Sequence, residues 1–119
     1  MSLEKNYYLI NGYDLTDMAT DKFNDWKWTS EAEDYMCCHR KGKIQLFDDP
    51  MSGEHLYLGY IFATGDEYDF ETTKLDCGEI THSSDYVYGE LIHLQELGVI
   101  TKDPKFKPKL ELIMFEECY

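Results

Sequence analysis

Two segments of the chain, residues 6–13 and 55–64, are apolar on both alternating faces. This pattern is typical of a strand that is buried on both sides of a sheet. Residues 43–47 and 106–118 instead alternate polar with apolar side chains, as a strand with one solvent-facing side does. The pattern predicts a sheet whose first and third strands are central. Gly59 indicates a bulge or the close approach of another backbone in the third strand.

The last predicted strand carries an apolar face opposite a lysine-rich face. Its apolar face comprises Phe106, Pro108, Leu110, Leu112 and Met114. Ile113 and Phe115 interrupt the polar face, so the second half of this strand is expected to be covered on both sides. Residues 48–53 have turn chemistry, which predicts a hairpin between the second and third strands.

A helix is predicted over about residues 15–27. Asp14 can cap its N-terminus, and the following apolar side chains recur at offsets of three and four. These side chains are Leu15, Met18, Ala19, Phe23 and Trp26. The next segment is open to two interpretations: Ser30 and Glu33 have capping-box spacing and favour a short helix, whereas residues 35–39 also fit an extra strand.

A second long helix is expected to begin at Ser83 or Ser84, because either hydroxyl can act as an N-cap. It ends at Leu97. Gly98 then supplies the left-handed position of a Schellman motif, and Val99 supplies the hydrophobic contact that accompanies it.

In order, the elements are β-α-β-β-α-β, which is the order of the ferredoxin-like split βαβ sheet. The predicted fold class is therefore α+β, with an antiparallel sheet of four or five strands and two helices. No linker or repeat divides the sequence, so residues 1–119 are expected to form a single domain. Residues 1–5 are expected to be disordered or in part of vector origin.

The chain is strongly acidic, with 24 acidic and 11 basic side chains and a formal net charge of -13. This charge repels phosphate backbones and anionic lipid surfaces, so no direct binding to nucleic acid or to a membrane is expected. Aromatic residues make up 15% of the chain, whereas disordered acidic chains are poor in them. No apolar run could span a bilayer and no secretory signal is present, which predicts a cytoplasmic protein.

Cysteine and histidine residues are numerous enough to supply a zinc site. They are Cys37, Cys38, His39, Cys77, His82, His93 and Cys118. None of them has the close-pair spacing of structural zinc ligands, so reduced, buried thiols and no bound metal are favoured. Whether Cys37, Cys38, His39, Cys77 and His82 meet in space is left open by their spacing.

Motifs for catalysis or cofactor binding are missing from the sequence. It contains no glycine-rich nucleotide loop, nucleophile elbow or metalloprotease motif, so no cofactor is predicted. The run His82-Ser83-Ser84-Asp85 holds the residue types of a catalytic triad, but adjacent side chains point in different directions, and helix capping explains the serines and the aspartate.

Four aspartates at offsets of three and four form a carboxylate stripe on the first predicted helix: Asp14, Asp17, Asp21 and Asp25. Like charges one turn apart destabilise a helix by about 0.2–0.5 kcal/mol per pair. With Trp28 and an acidic loop, three of them form the predicted partner-binding set: Asp17, Asp21, Asp25, Trp28, Asp66, Glu67, Asp69 and Glu71. A solvated helix face, tolerated because core packing dominates, explains the same stripe and is commoner.

Two functional hypotheses follow. The first is a small non-enzymatic binding or regulatory protein that presents its acidic and aromatic surface to a basic protein, with a nucleic-acid charge mimic as its sharpest form. The alternative is a small enzyme or ligand-binding domain with a tyrosine-rich pocket at the open face of the sheet. An enzyme should show a concave pocket with converging polar groups, and a binding module a flatter charged patch. The sequence leaves the oligomeric state open.

Overall fold

The computed structural model describes residues 5–36, 43–49, 55–66 and 76–118. These residues form an α+β fold with an open, four-stranded antiparallel sheet and three helices. The strands are β1 (Lys5–Asp14), β2 (Ile44–Asp49), β3 (His55–Asp66) and β4 (Glu111–Cys118), and the helices are α1 (Asp21–Trp26), α2 (Ser30–Met36) and α3 (Cys77–Glu96).

The strands lie in the order β2-β3-β1-β4, and every neighbouring pair is antiparallel. The first and third strands are central, as their apolar faces predict, and β2 is an edge strand. β2 and β3 pair along their length, as a hairpin requires, although residues 50–53 of the predicted turn lie outside the described part of the chain. No helix in the described residues is long and apolar enough to cross a membrane.

Two glycines oppose each other at the centre of the sheet. Gly12 of β1 and Gly59 of β3 are register partners. A Cβ on Gly12 would overlap the carbonyl oxygen of Leu58, and a Cβ on Gly59 would lie 2.5 Å from Cδ1 of Ile10. A backbone therefore approaches closely at Gly12, whereas at Gly59 the side chain of Ile10 leaves no room for a Cβ, and the irregularity in the pairing lies between Leu9 and Ile10.

Helix α1 is shorter than predicted, because it begins at Asp21. Asp14 ends β1, and its carboxylate accepts hydrogen bonds from the amide (3.0 Å) and the hydroxyl (2.5 Å) of Thr16, which closes a turn. Ala19 then forms a β-bridge with Ile100. The turn and the bridge take backbone groups that a helix would use, so the prediction is wrong for the first six residues.

Helix α2 decides between the two interpretations of its segment in favour of a helix. The hydroxyl of Thr29 accepts a hydrogen bond from the amide of Ala32 (3.3 Å), so Thr29 acts as the cap and Ser30 is already helical. Tyr35 lies within α2 and is fully buried. The rest of the alternative strand, residues 37–39, lies outside the described residues.

Helix α3 begins six residues before the earlier of the two predicted caps. Asp76 is its N-cap, and the Asp76 carboxylate accepts a hydrogen bond from the amide of Gly78 (2.6 Å). Ser83 and Ser84 lie inside the helix, where each hydroxyl donates to the carbonyl of Ile80 (2.8 Å). The prediction that these serines cap the helix is therefore wrong, because an aspartate upstream takes that role.

The end of α3 is as predicted. Gly98 has a φ of 81°, in the left-handed region that favours glycine. The amide of Val99 donates to the carbonyl of Leu94 (3.3 Å), and the amide of Gly98 donates to that of Gln95 (3.1 Å). These are the two hydrogen bonds of a Schellman motif.

The two faces of the sheet are covered differently. On one face, strand residues pack under the helices in what we call the helix-side core, which includes Ile44, Leu46, Leu56, Leu58, Val87, Leu91 and Leu94. The opposite face carries what we call the aromatic cluster, formed by Tyr8, Ile10, Phe47, Tyr57, Ile61, Ile113 and Phe115.

The aromatic cluster shows that the sheet curves strongly. The ring centroids of Phe47 on β2 and Phe115 on β4 are 4.9 Å apart, although β3 and β1 lie between these two edge strands. A flat sheet would separate the edge strands by about 14 Å. Tyr8 lies 4.8 Å from Phe47 and 5.4 Å from Phe115. Curvature therefore lets side chains from opposite edges bury one another.

The predicted assignment of buried and exposed faces is wrong for strand β4. It begins at Glu111, five residues later than predicted. Ile113 and Phe115 pack in the aromatic cluster, whereas Leu112 and Met114 are 50% and 75% exposed. Both lie on the helix side of the sheet, but α3 packs mainly on β1 and β3 and leaves this outer strand uncovered. The second half of β4 is thus not covered on both sides.

Candidate functional site

The predicted carboxylate stripe does not lie on one helix. Asp14 ends β1, Asp17 lies in the turn that follows, and only Asp21 and Asp25 belong to α1. All four are exposed. The stripe prediction is wrong beyond the Asp21–Asp25 pair, for the same reason that the helix starts late.

Trp28 is the most exposed large apolar side chain among the described residues, at 82%. It follows α1 directly, and the ammonium of Lys27 lies 5.5 Å from the centre of its ring. Trp26 behaves differently: its ring packs against Phe23 at 5.9 Å and against Tyr35 at 5.6 Å. Trp26 thus anchors α1 and α2 to the core, while Trp28 is presented to solvent.

Acidic side chains continue from α1 onto α2, at positions outside the predicted partner-binding set. Glu31, Glu33 and Asp34 are exposed. We define the acidic surface as Asp21, Asp25, Trp28, Glu31, Glu33 and Asp34. The sequence signal was present, because residues 30–34 hold three acidic residues and no basic one. The short helix predicted from Ser30 did not by itself determine how these carboxylates lie relative to α1.

One member of the acidic surface is tied to α3. Nε2 of His93 lies 3.3 Å from a carboxylate oxygen of Glu31. The His93 ring also stacks on Tyr35, with centroids 6.2 Å apart. This contact holds α2 against α3. The other carboxylates of α2 therefore lie on a helix that is packed against the rest of the fold.

The predicted acidic loop lies mostly outside the described residues. Asp66 is the last residue of β3, and Glu67, Asp69 and Glu71 belong to the part of the chain that the structure does not describe. Their participation in partner binding stays a prediction.

The cysteine and histidine set is described only in part. Cys37, Cys38 and His39 lie outside the described ranges. Cys77 is a free, exposed thiol, which contradicts the expectation of burial, since it occupies the solvent-exposed first turn of α3. His82 packs edge-on against Tyr86, with ring centroids 4.7 Å apart. Among the described residues, no group of three or more potential ligands could hold a metal ion.

The serines of the triad-like run have a structural contact. Asn11, only 3% exposed, donates from Nδ2 to the hydroxyls of Ser83 (3.0 Å) and Ser84 (2.9 Å) and to the carbonyl of Ile80 (3.2 Å). This network joins β1 to α3. It satisfies a polar side chain that would otherwise destabilise the interface, since an unsatisfied buried amide is costly.

An open cavity of about 240 Å³ lies beside the end of β1. It is lined by Asp14, Asp17, Met18, Phe106, Lys107, Pro108, Lys109 and Glu111. Its lining thus combines acidic and basic residues with the apolar residues Met18 and Phe106. Its described lining holds no tyrosine, histidine, serine or cysteine, so it differs from the tyrosine-rich pocket of the alternative hypothesis.

The pKa values of Tyr13 and Tyr57 are raised above the ordinary value of tyrosine. Burial raises the pKa of Tyr13, with a smaller contribution from Tyr88. Burial also raises the pKa of Tyr57, with a smaller contribution from the charge of Asp14. Tyr13 belongs to the helix-side core and Tyr57 packs in the aromatic cluster. Burial by packing is the larger cause of both shifts, and neither side chain lines the cavity.

Comparisons of the chain with protein-family models, with curated proteins and with solved structures found no match. The chemistry of the surface therefore carries the functional inference. Its most distinctive feature is the acidic surface around Trp28.

Proposed function

We propose that the protein is a small non-enzymatic binding or regulatory module that docks on a basic protein surface through its acidic surface. The observation that carries this proposal is the 82% exposure of Trp28 between two helices that both present carboxylates. Tryptophan is enriched among the side chains that dominate binding energy at interfaces. Leaving it in solvent is unfavourable for an isolated domain, and a partner would bury it.

Charge supports the same conclusion. Asp21, Asp25, Glu33 and Asp34 form no ion pair with the described cations, so their carboxylates are available to a partner. With a net charge of -13, the chain would attract a basic surface over a distance comparable with the Debye length. A surface that normally holds a nucleic-acid backbone has this character, which makes a charge mimic the sharpest form of the proposal.

A matched pair of double variants tests this function. Asp21→Asn with Asp25→Asn removes two charges from the acidic surface, and Asp85→Asn with Glu96→Gln removes two exposed charges from α3. Affinity capture from lysate, with bound proteins quantified by mass spectrometry, should show one basic partner. The first variant and Trp28→Ala should each reduce its capture by about tenfold or more, and the second should retain it.

Salt supplies the complementary measurement. Raising the salt from about 50 to about 300 mM should weaken capture by the wild type sharply, because exposed charges are screened. Equal losses in the two double variants, or capture that is indifferent to salt, would contradict the proposal.

The alternative function, a ligand-binding domain, is supported by the cavity at the end of β1. Because its walls carry both Asp17 and Lys107, it would suit a small zwitterion. We place it second because the cavity is open and its described lining lacks a nucleophile or an imidazole.

We also propose a ferredoxin-like class for the sheet and a cytoplasmic location. The antiparallel order β2-β3-β1-β4 supports the first, with α2 as an addition before β2. The free thiol of Cys77 supports the second, since reducing compartments keep thiols unpaired.

A further inference from the structure

In the part of the chain that the structure describes, β4 is an edge strand of the sheet. Among the described residues, β4 pairs with β1 only, over eight residues. Natural proteins protect such edges with lysine, proline, bulges or very short strands. Between Glu111 and Cys118 there is no lysine, proline or glycine. The opposite edge, β2, is shorter and ends in Asp48 and Asp49, which fits a solvent-facing edge better.

Exposed apolar side chains lie beside this edge. Leu112 is 50% exposed and Met114 is 75% exposed, and both point to the helix side of the sheet. A strand added to β4 would cover them and would also pair with the outward-facing backbone groups of the strand.

The distribution of charge along the sequence indicates which strand could be added to β4. Residues 101–119 contain four lysines and four acidic residues and are neutral, so the whole net charge of -13 resides in residues 1–100. Two copies of this chain repel each other over most of their surface, since like fields oppose association. The region of β4 is where that repulsion is weakest.

The order of charges favours an antiparallel arrangement. Lysines precede β4, at positions 105, 107 and 109, and glutamates close it, at positions 116 and 117. Parallel pairing of two copies would place lysine beside lysine. Antiparallel pairing instead brings the lysine-bearing end of each copy to the glutamate-bearing end of the other, and opposite charges in register stabilise a sheet.

We propose that β4 pairs antiparallel with β4 of a second copy, about a two-fold axis at Ile113, to form a continuous eight-stranded sheet. In this register Leu112 of each copy lies opposite Met114 of the other, so the exposed apolar side chains cover one another. Continued to the residues just before the strand, the same register sets Lys109 opposite Glu117. A shift of the axis to Met114 would instead oppose Glu111 with Glu117. The interface is isologous, as closed dimers require.

Sedimentation equilibrium of the full chain, from about 1 to about 100 µM, tests the proposal. The wild type should approach twice the chain mass of 14.0 kDa. Met114→Lys should shift the midpoint of dimerisation by about tenfold or more, because a charge on an edge strand opposes pairing. Tyr88→Lys is the matched control, since Tyr88 is also exposed (56%) but lies on α3; it should leave dimerisation unchanged.

A charge exchange tests the register itself. Lys109→Glu should weaken the dimer, and adding Glu117→Lys should restore it. Salt should strengthen this dimer, because it screens repulsion between two chains of charge -13, whereas it should weaken capture of a basic partner. A wild type that stays monomeric, a dimer indifferent to Met114→Lys, open-ended oligomers, or a double exchange without rescue would each overturn the proposal.

Discussion

The helix-side core and the aromatic cluster bury opposite faces of one sheet by different means. Helices cover the first, and its burial stops where α3 stops, so that Leu112 and Met114 on β4 remain exposed. Curvature of the sheet covers the second, so that Phe115 of the same strand contacts Phe47 from the far edge. A single edge strand is therefore buried on one face and open on the other, which leaves it suited to a partner.

The curved sheet should be most sensitive at Gly12. Gly12→Ala places a methyl group against the Leu58 carbonyl oxygen and 2.6 Å from Cα of Gly59. Both neighbours are backbone and cannot move without breaking the pairing of β1 with β3. We expect a loss of about 3 kcal/mol or more in the free energy of unfolding, measured by urea denaturation followed by tryptophan fluorescence.

Gly89→Ala is the matched control for this substitution. A Cβ on Gly89, in the middle of α3, would meet nothing within 4 Å. Replacing an exposed helical glycine by alanine should stabilise the protein by about 0.5–1 kcal/mol. If the loss of unfolding free energy in Gly12→Ala were smaller than the gain in Gly89→Ala, the close approach of β1 and β3 at Gly12 would not be required for the fold.

The sequence pattern correctly predicted two kinds of element: strands that are covered on both faces, and a helix end that depends only on its own last turn. Residues 6–13 and 55–64 are apolar on both faces, and both became central strands because both faces are covered there. Gly98 ended α3 as predicted, because its left-handed conformation depends only on the preceding turn.

Tertiary context decided the rest. Asp14 and Asp76 are equally good caps by residue type, but Asp14 closes a turn at the end of a strand and Ala19 is held by a bridge to Ile100. The face of β4 that is buried depends on where α3 lies, which alternation along β4 does not encode. The candidate site was predicted in part for the same reason: Asp21, Asp25 and Trp28 belong to it, whereas Glu33 and Asp34 joined it only through the orientation of α2.

Truncation on the two sides of β4 separates the two kinds of burial. Phe115→Ala removes a ring that contacts Phe47, Tyr8 and Tyr57, and because Phe115 is only partly buried we expect a loss of about 2–3 kcal/mol. Met114→Ala, at a site 75% exposed, should cost less than about 0.5 kcal/mol in dilute solution. Thermal or urea unfolding of the two variants checks this difference, and similar losses would show that the helix side is covered after all.

Alkaline titration offers the finest comparison, because a tyrosine with a raised pKa lies on each face: Tyr13 on the helix side and Tyr57 in the aromatic cluster. The ordinary value is 10.0, and both folded-state values lie above it. The contribution of these two tyrosines to the free energy of unfolding should therefore be fully present below pH 10 and be lost as the pH rises through the raised values, since the unfolded chain releases these protons first. Tyr88→Phe should lower the pKa of Tyr13 alone, and Asp14→Asn, which keeps an oxygen acceptor for Thr16, should lower the pKa of Tyr57 alone. Tyrosinate absorbance of these variants in Tyr13→Phe and Tyr57→Phe backgrounds assigns each shift. Should one substitution move both tyrosines, the two faces would be coupled electrostatically through the sheet instead of being set by separate packing.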